Sequence, residues 1–222
     1  MYPDDLNEQQ IIRRQKAQEL KEMGVDPFGQ KYVRTHHAKQ IIDTYDKDDH
    51  DTLEEKHIEV SIAGRIVLKR GQGKAGFMHI KDRDGQIQVY VRLDQVGEDQ
   101  YALFKHADLG DIVGVKGFLF RTRTDELTIK ATQYTHLTKA LRPLPDKFHG
   151  LQDKEESRRR RYVDLIVNEE ARKVAMTRPK IIRSIQNYFD TKGFIEVETP
   201  VLHPILGGAA ARPFVTHHNT LD

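Results

Sequence analysis

The chain has 222 residues, more than one average domain, with 37% hydrophobic and 32% charged residues, enough apolar material for a packed core beneath a densely charged surface. No apolar run approaches the ~20 residues that a membrane helix needs, and "MYPDDLNEQQ" lacks the basic-then-apolar pattern of a signal peptide, so a cytoplasmic protein without membrane contact is expected. Zero cysteines remove disulfides, thiolate metal sites and cysteine nucleophiles together. The net charge of +2 conceals an asymmetry: residues 43–55 hold seven acids and one lysine, whereas residues 65–81 hold five lysines or arginines and no acid. The basic segment is a candidate anion-facing strip, and an ordinary solvated face is its alternative.

Residues 7–23, "NEQQIIRRQKAQELKEM", are rich in helix formers, with Gly24 placed to end the helix and Pro27 to prevent its resumption. The apolar positions are sparse, so the helix must dock lightly on its own domain or turn Arg13, Arg14, Lys16 and Lys21 toward a phosphate backbone. Residues 28–56 read as a loop and an acidic connector of weak helix potential. From Ile58 the period changes to two, and "IEVSIAGRIVLKR", "GFMHIK", "QIQVYVR", "IVGVKGFLF" and "ELTIKATQY" read as five strands. "DRDG" turns the chain between the second and third, and "EDQYALFKHADLG" has helical spacing between the third and fourth. That order predicts an OB-fold barrel, a platform for single-stranded nucleic acid.

Sidedness selects the candidate residues. In the second strand Met78 and Ile80 share one face, which leaves Phe77 on the polar face with His79 and Lys81. In the third, Ile87, Val89 and Val91 point inward, so Gln86, Gln88, Tyr90 and Arg92 point outward. An outward aromatic supplies a stacking surface for any base, and an outward amide supplies the choice between bases. In the fifth strand Glu126, Thr128 and Lys130 take the outer face, and Glu126 follows "RTRTD", where a carboxylate either accepts from a base or pairs with an arginine.

Residues 137–153, with two prolines and a glycine, read as the interdomain connector. "KEESRRRRYVDL" then starts a salt-bridged helix or meets RNA, Asn168 caps "EEARKVAMT", and Pro179 suits the first turn of a further helix, "KIIRSIQNYFDTKG", ended by Gly193. "KGFIEVETPVL" favours an extended strand that Pro200 breaks. The paired histidines 36–37 and 217–218 match no metal-ligand spacing, and no metal site is expected.

A helix followed by "KGFIEVETPVL" resembles motif 1 of the class II aminoacyl-tRNA synthetases, and the barrel before it resembles the anticodon-binding domain of the subgroup that activates lysine, aspartate and asparagine. "TKALRPLPDKFHGLQDKEESRRRRYVDLI" and "GGAAARPFVTHHN" are similar to the lysine enzymes of that subgroup, bacterial type. The resemblance implies an α+β protein: residues 1–56 an N-terminal helix and connector, 57–137 the OB-fold anticodon-binding domain, 138–153 a linker, and 154–222 the start of an antiparallel class II catalytic domain. It implies that the middle anticodon base of a lysine tRNA stacks on Phe77 and is read by Gln88 and Arg70, and that Glu126 reads the third base. It also implies a homodimer contact through Gly193, Phe194, Val197 and Pro200, and lysine approaching backbone at Gly207, Gly208 and Ala209, where glycine permits close approach.

ATP and Mg2+ are the implied cofactors of the complete enzyme, held by motifs 2 and 3. Residues 194–222 carry Arg212 as their only arginine or lysine, so no catalytic residue is assigned in this chain and it is expected to be inactive alone. A tRNA-binding module or synthetase-associated subunit without catalysis is the alternative.

Overall fold

The computed structural model describes residues 6–29, 31–145, 150–151, 153–201, 212 and 214–220, and the chain divides into two compact units, Met1–Lys154 and Glu155–Asp222. In the first, α1 (Glu8–Glu22) begins at Asn7, whose side-chain oxygen accepts the Gln10 amide, and precedes β1 (Glu59–Gln72), β2 (Ala75–Lys81), β3 (Gln86–Arg92), β4 (Ile112–Arg121) and β5 (Leu127–Thr138). The strands close a barrel in the order β1-β2-β3-β5-β4, antiparallel except for the short parallel pairing of β3 with β5. This is the OB-fold arrangement. Ile62, Ile66, Met78, Ile80, Val89, Val115 and Ile129 fill the interior, the inward positions of alternating strands. Gly117 marks a bulge in the β4–β5 ladder, where a side chain would lie 2.1 Å from the Lys130 carbonyl oxygen.

The acidic connector is more ordered than its composition suggests. It forms α2 (Ala38–Tyr45) and α3 (His50–Lys56), the first with Ile41 buried against the barrel and the second with Leu53. Asp82 in the β2–β3 turn accepts the Ala38 amide at 2.8 Å and so caps α2 from another element. Two short helices (Leu93–Val96 as α4 and Glu98–His106 as α5) join β3 to β4.

Of the two readings of α1, docking on its own domain is the one that three of its four cations follow. Arg13 is buried and donates to the Leu109 and Ala140 carbonyls, Arg14 donates to the Gln10 and Leu141 carbonyls, and Lys16 pairs with Asp108 at 2.6 Å. Lys139, with no side-chain exposure, bridges Asp108 at 2.6 Å and Asp111 at 2.7 Å, while the other Asp111 oxygen accepts the Ala140 amide. The docking of α1 on the barrel therefore runs through charge as well, because the two apolar side chains this sparse helix buries, Ala17 and Leu20, would not hold it. Burial works to raise the Asp108 carboxyl, but hydrogen bonds and charge from Lys139 and Lys16 outweigh it and hold the group below its ordinary value.

In the second unit, α6 (Lys154–Arg159) and α7 (Arg161–Val167) carry the pairs Arg159–Glu155, Arg160–Glu156 and Arg161–Asp164, which makes the arginine run a salt-bridged helical segment. Asn168 caps α8 (Glu169–Thr191), its oxygen accepting the Ala171 amide. Pro179 does not start a separate helix: it lies inside α8, which runs 23 residues without interruption. The missing proline N–H costs one bond to the preceding turn, and the apolar and helix-forming residues on both sides carry the helix through. Gly193, at φ +81°, ends α8, with its amide on the Asp190 carbonyl and that of Phe194 on the Phe189 carbonyl. Residues 194–200 form no strand, contrary to the expectation, since a strand exists only with a ladder partner and the described residues supply none. Among the described residues no helix is long and apolar enough to cross a membrane, and no cluster of metal-ligating side chains occurs.

Lys139→Met leaves Asp111 buried and unpaired and is expected to destabilise the first unit by about 3 to 5 kcal/mol in urea unfolding. A loss below about 1 kcal/mol would contradict the role given to the network. The Asp108 contribution is full above the unfolded-state value of about 3.9 and is lost as pH falls through the lower folded value, so the acid limb of the stability profile should flatten in this variant.

Candidate nucleic-acid interface

The β2–β3 turn sets the register that builds the site. Lys81 faces Gln86 across it, so His79 faces Gln88 and Phe77 faces Tyr90. The β1–β2 pairing adds Arg70 opposite Phe77, and the parallel β3–β5 pairing adds Lys130 beside Tyr90 and Thr128 beside Gln88. Two rows thus cross the outer face of the barrel, Arg70–Phe77–Tyr90–Lys130 and His79–Gln88–Thr128.

In the first row the Phe77 and Tyr90 rings stack with centroids 4.6 Å apart at 27°, and the Arg70 guanidinium lies 5.9 Å from the Phe77 centroid. Phe77 is half-buried rather than swallowed by the barrel. Together with Gln88, Phe120 and the β4–β5 loop residues Thr122, Arg123 and Thr124, these side chains line an open recess of about 530 Å3. Gln88 departs from its expected exposure: it lies on the outer face, yet only 2% of it reaches solvent. The cause is the neighbouring strand. Thr128, fully buried, donates its hydroxyl to the Glu126 carbonyl at 3.0 Å and so presents a lone pair to Gln88 Nε2 at 2.9 Å. Gln88 Oε1 then faces Arg70, whose guanidinium donates to it at 3.4 Å. The amide is held in one orientation at the edge of the stacking recess, as selective hydrogen bonding to a base edge requires.

Glu126 is 43% exposed at its side chain and pairs with His79, Nε2 to Oε1 at 3.0 Å, not with the arginines of "RTRTD". Arg121 instead donates to the carbonyls of Asp46, Asp48 and Asp125, tying the start of the β4–β5 loop to the α2–α3 connection. Within the basic strip, Arg65 donates to the Gly110 carbonyl, and Lys69 donates to the Lys105 and Ala107 carbonyls over the Phe104 ring. Burial, reinforced by Lys16 and Lys139 against Asp108 and Asp111, pulls Lys69 down to about 8. Only part of the strip is therefore turned to the recess, and Arg70 is its representative there.

Tyr90, Phe120 and Arg123 were not singled out from sequence. The signal for Tyr90 was present, because a tight turn at 82–85 forces position 90 opposite 77. Of the remaining candidates, Gly193, Phe194, Val197 and Pro200 lie in the second unit, with Phe194 63% and Val197 71% exposed. Gly207, Gly208 and Ala209 lie outside the described residues.

Residues 60–137 match the model of an OB-fold nucleic acid binding domain, and residues 153–222 match tRNA synthetases class II of the aspartate, lysine and asparagine group. The chain is 60% identical over 217 residues, 98% of its length, to the lysine–tRNA ligase of Aster yellows witches'-broom phytoplasma. It is 58% identical over 99% of its length to that of Staphylococcus saprophyticus, and 55% identical over its whole length to that of Bacillus cytotoxicus. It spans 44%, 45% and 44% of these three relatives, less than half of each. Sequence that matches an OB-fold nucleic acid binding domain and sequence that matches class II tRNA synthetases thus follow one another along the chain.

Thr128→Val keeps the shape but removes the acceptor that orients Gln88. It should cost about 1 to 3 kcal/mol in denaturant unfolding, the penalty of a buried amide donor left without a partner. An unchanged stability would mean that the amide finds another acceptor and is not held.

Proposed function

We propose that this chain is the anticodon-reading part of a lysine–tRNA ligase, the enzyme that activates lysine with ATP and transfers it to its tRNA. The observation that carries the reading is the Phe77–Tyr90 stack bordered by Arg70 and an oriented Gln88, on the OB-fold barrel of a chain that is 55–60% identical along its length to lysine–tRNA ligases. The middle anticodon base, a uridine, lies on the Phe77 face. Gln88, fixed by Thr128, meets its edge, and Arg70 adds charge above the ring. Glu126, oriented by His79, accepts from the third base. Reading depends on preorganisation: the stack supplies affinity for any base, and the amide rejects those whose edge leaves it unpaired.

In the second unit, Gly193, Phe194, Val197 and Pro200 contribute to a dimer contact, and Gly207, Gly208 and Ala209 line the lysine site of the complete ligase. In the activation step the lysine carboxylate oxygen attacks the α-phosphorus of ATP and pyrophosphate leaves. The charge that grows on the phosphate oxygens requires cations positioned around them, which arginines and magnesium supply in the complete enzyme. Residues 194–222 hold Arg212 as their only arginine or lysine, which supports the reading that this chain by itself does not carry out the activation step.

Phe77→Ala is expected to weaken binding of a lysine-tRNA anticodon stem-loop by about 1 to 3 kcal/mol in a filter-binding titration, whereas Gln88→Ala should chiefly reduce discrimination at the middle base. Equal affinity of the wild type and Phe77→Ala removes the stacking assignment. The purified 222-residue chain should also show no lysine-dependent exchange of pyrophosphate into ATP, and measurable exchange would contradict the division of labour described above.

A further inference from the structure

At the end of the barrel that α5 covers sits an amine that neither the core nor the reading surface uses. Lys69 lies on the inward side of β1: its Cα partner across the β1–β2 ladder is the fully buried Met78, whereas the next residue, Arg70, pairs with Phe77 and belongs to the outer row. A lysine therefore stands where a strand of this barrel turns its side chain inward. Its stem escapes through the barrel end, and its ammonium emerges over the Phe104 ring of α5, 4.8 Å from the centroid. The acceptors it meets are two neutral groups, the Ala107 carbonyl at 2.6 Å and the Lys105 carbonyl at 3.1 Å.

Three features set this amine apart from the other cations at the joint. The nearby carboxylates are engaged elsewhere: Asp108 holds Lys16 and Lys139, and Asp111 holds Lys139 and the amides of Asp108 and Ala140. No carboxylate pairs with Lys69 among the described residues. Burial is the main penalty on its charge, and the ammonium groups of Lys16 on α1 and Lys139 after β5 add to it against Asp108 and Asp111, which leaves the group at about 8. Finally, a neutral amine carries two N–H groups, the number that the two carbonyls accept, so loss of one proton leaves both bonds in place and the lone pair unused. The side chain is only half-buried and so remains open to a small solute.

A desolvated lysine beside other cations has the character of an activated nucleophile. We propose that Lys69 is a modification site, acylated on Nζ by small acyl phosphates. The neutral amine attacks the carbonyl carbon of the donor. A C–N bond forms, the bond from that carbon to the phosphate oxygen breaks, phosphate leaves with the bonding pair, and the surplus proton on nitrogen passes to it. The product amide has a single N–H, so one of the two carbonyls loses its donor and the positive charge between α5 and the barrel is gone. Acylation thereby loosens the α5–β4 turn that carries Asp108, the residue through which Lys16 ties α1 to the barrel. The site stands apart from the anticodon reading and does not depend on it.

The folded 222-residue chain is incubated with acetyl phosphate from about pH 6.5 to about 10, and acetylation at each lysine is followed by mass spectrometry after digestion. Near neutral pH, Lys69 should react at least about fivefold faster than Lys74, an exposed lysine of the same hairpin, because far more of it is neutral. Its rate should level off above about 8, while that of Lys74 climbs on toward about 10. In urea strong enough to unfold the chain the two rates should converge, since the fold confers the difference. A Lys69 rate equal to or below that of Lys74 throughout, or parallel to it in pH dependence, overturns the assignment. Lys69→Gln, uncharged like the acylated residue, should speed amide hydrogen exchange in residues 107–111 at least about threefold, and unchanged exchange there would contradict the loosening.

Discussion

Three residues of parallel pairing between β3 and β5, Gln88 with Thr128, Val89 with Ile129 and Tyr90 with Lys130, close the barrel and build the interface at once. The middle pair buries two aliphatic side chains in the interior. The flanking pairs put an amide beside a hydroxyl and an aromatic beside a cation on the exterior. Because side chains alternate strictly along a strand, the closure that seals the core leaves no freedom in which outward residues become neighbours. A slip of one residue would turn Gln88 and Tyr90 inward. The precision of the site follows from the energetics of the core, which is why a recognition surface can stand on strands rather than loops.

Charge is sorted by the same fold. Arg13, Arg65, Lys69, Arg121 and Lys139 satisfy backbone carbonyls or buried carboxylates at the joints between helices, loops and barrel. Arg13, Arg65 and Lys139 among them meet acceptors that are buried or part-buried, where a missing partner is costly. Around the recess itself stand Arg70 against the stacked rings, Arg123 on the β4–β5 loop and Lys130 beside Tyr90. The connector that forms α2 and α3 is tied to the barrel through the Arg121 donors and the Asp82 cap.

Period-two alternation makes the strands and their inward faces legible in the sequence, and it singles out Phe77 and Gln88. The burial of Gln88 was not legible, because the group that covers it lies 40 residues away and is brought there only by barrel closure. The pairing of Glu126 with His79 was hidden for the same reason, since sequence proximity favoured the arginines of "RTRTD". Helices α2 and α3 read only as weak helix potential because each is short and buries little, Ala38 and Ile41 in one and Leu53 in the other, and because one of their caps comes from a distant turn. At Pro179 a local rule for helix starts yielded to the continuous helix-forming sequence around it. The strand expected at residues 192–202 depends on a ladder partner, information that no stretch of sequence contains by itself.

The central claim is that the outer face formed by β1, β2, β3 and β5 is an RNA-reading surface. Titration of isotopically labelled chain with the anticodon stem-loop, followed by amide and side-chain chemical shifts, tests it most directly. The largest shifts should fall on Arg70, Phe77, Gln88 and Tyr90, with the Gln88 side-chain amide among them and the inward residues Met78 and Val89 little affected. Shifts confined to α1 or to the second unit, with the Phe77–Tyr90 region unmoved at saturation, would contradict the account.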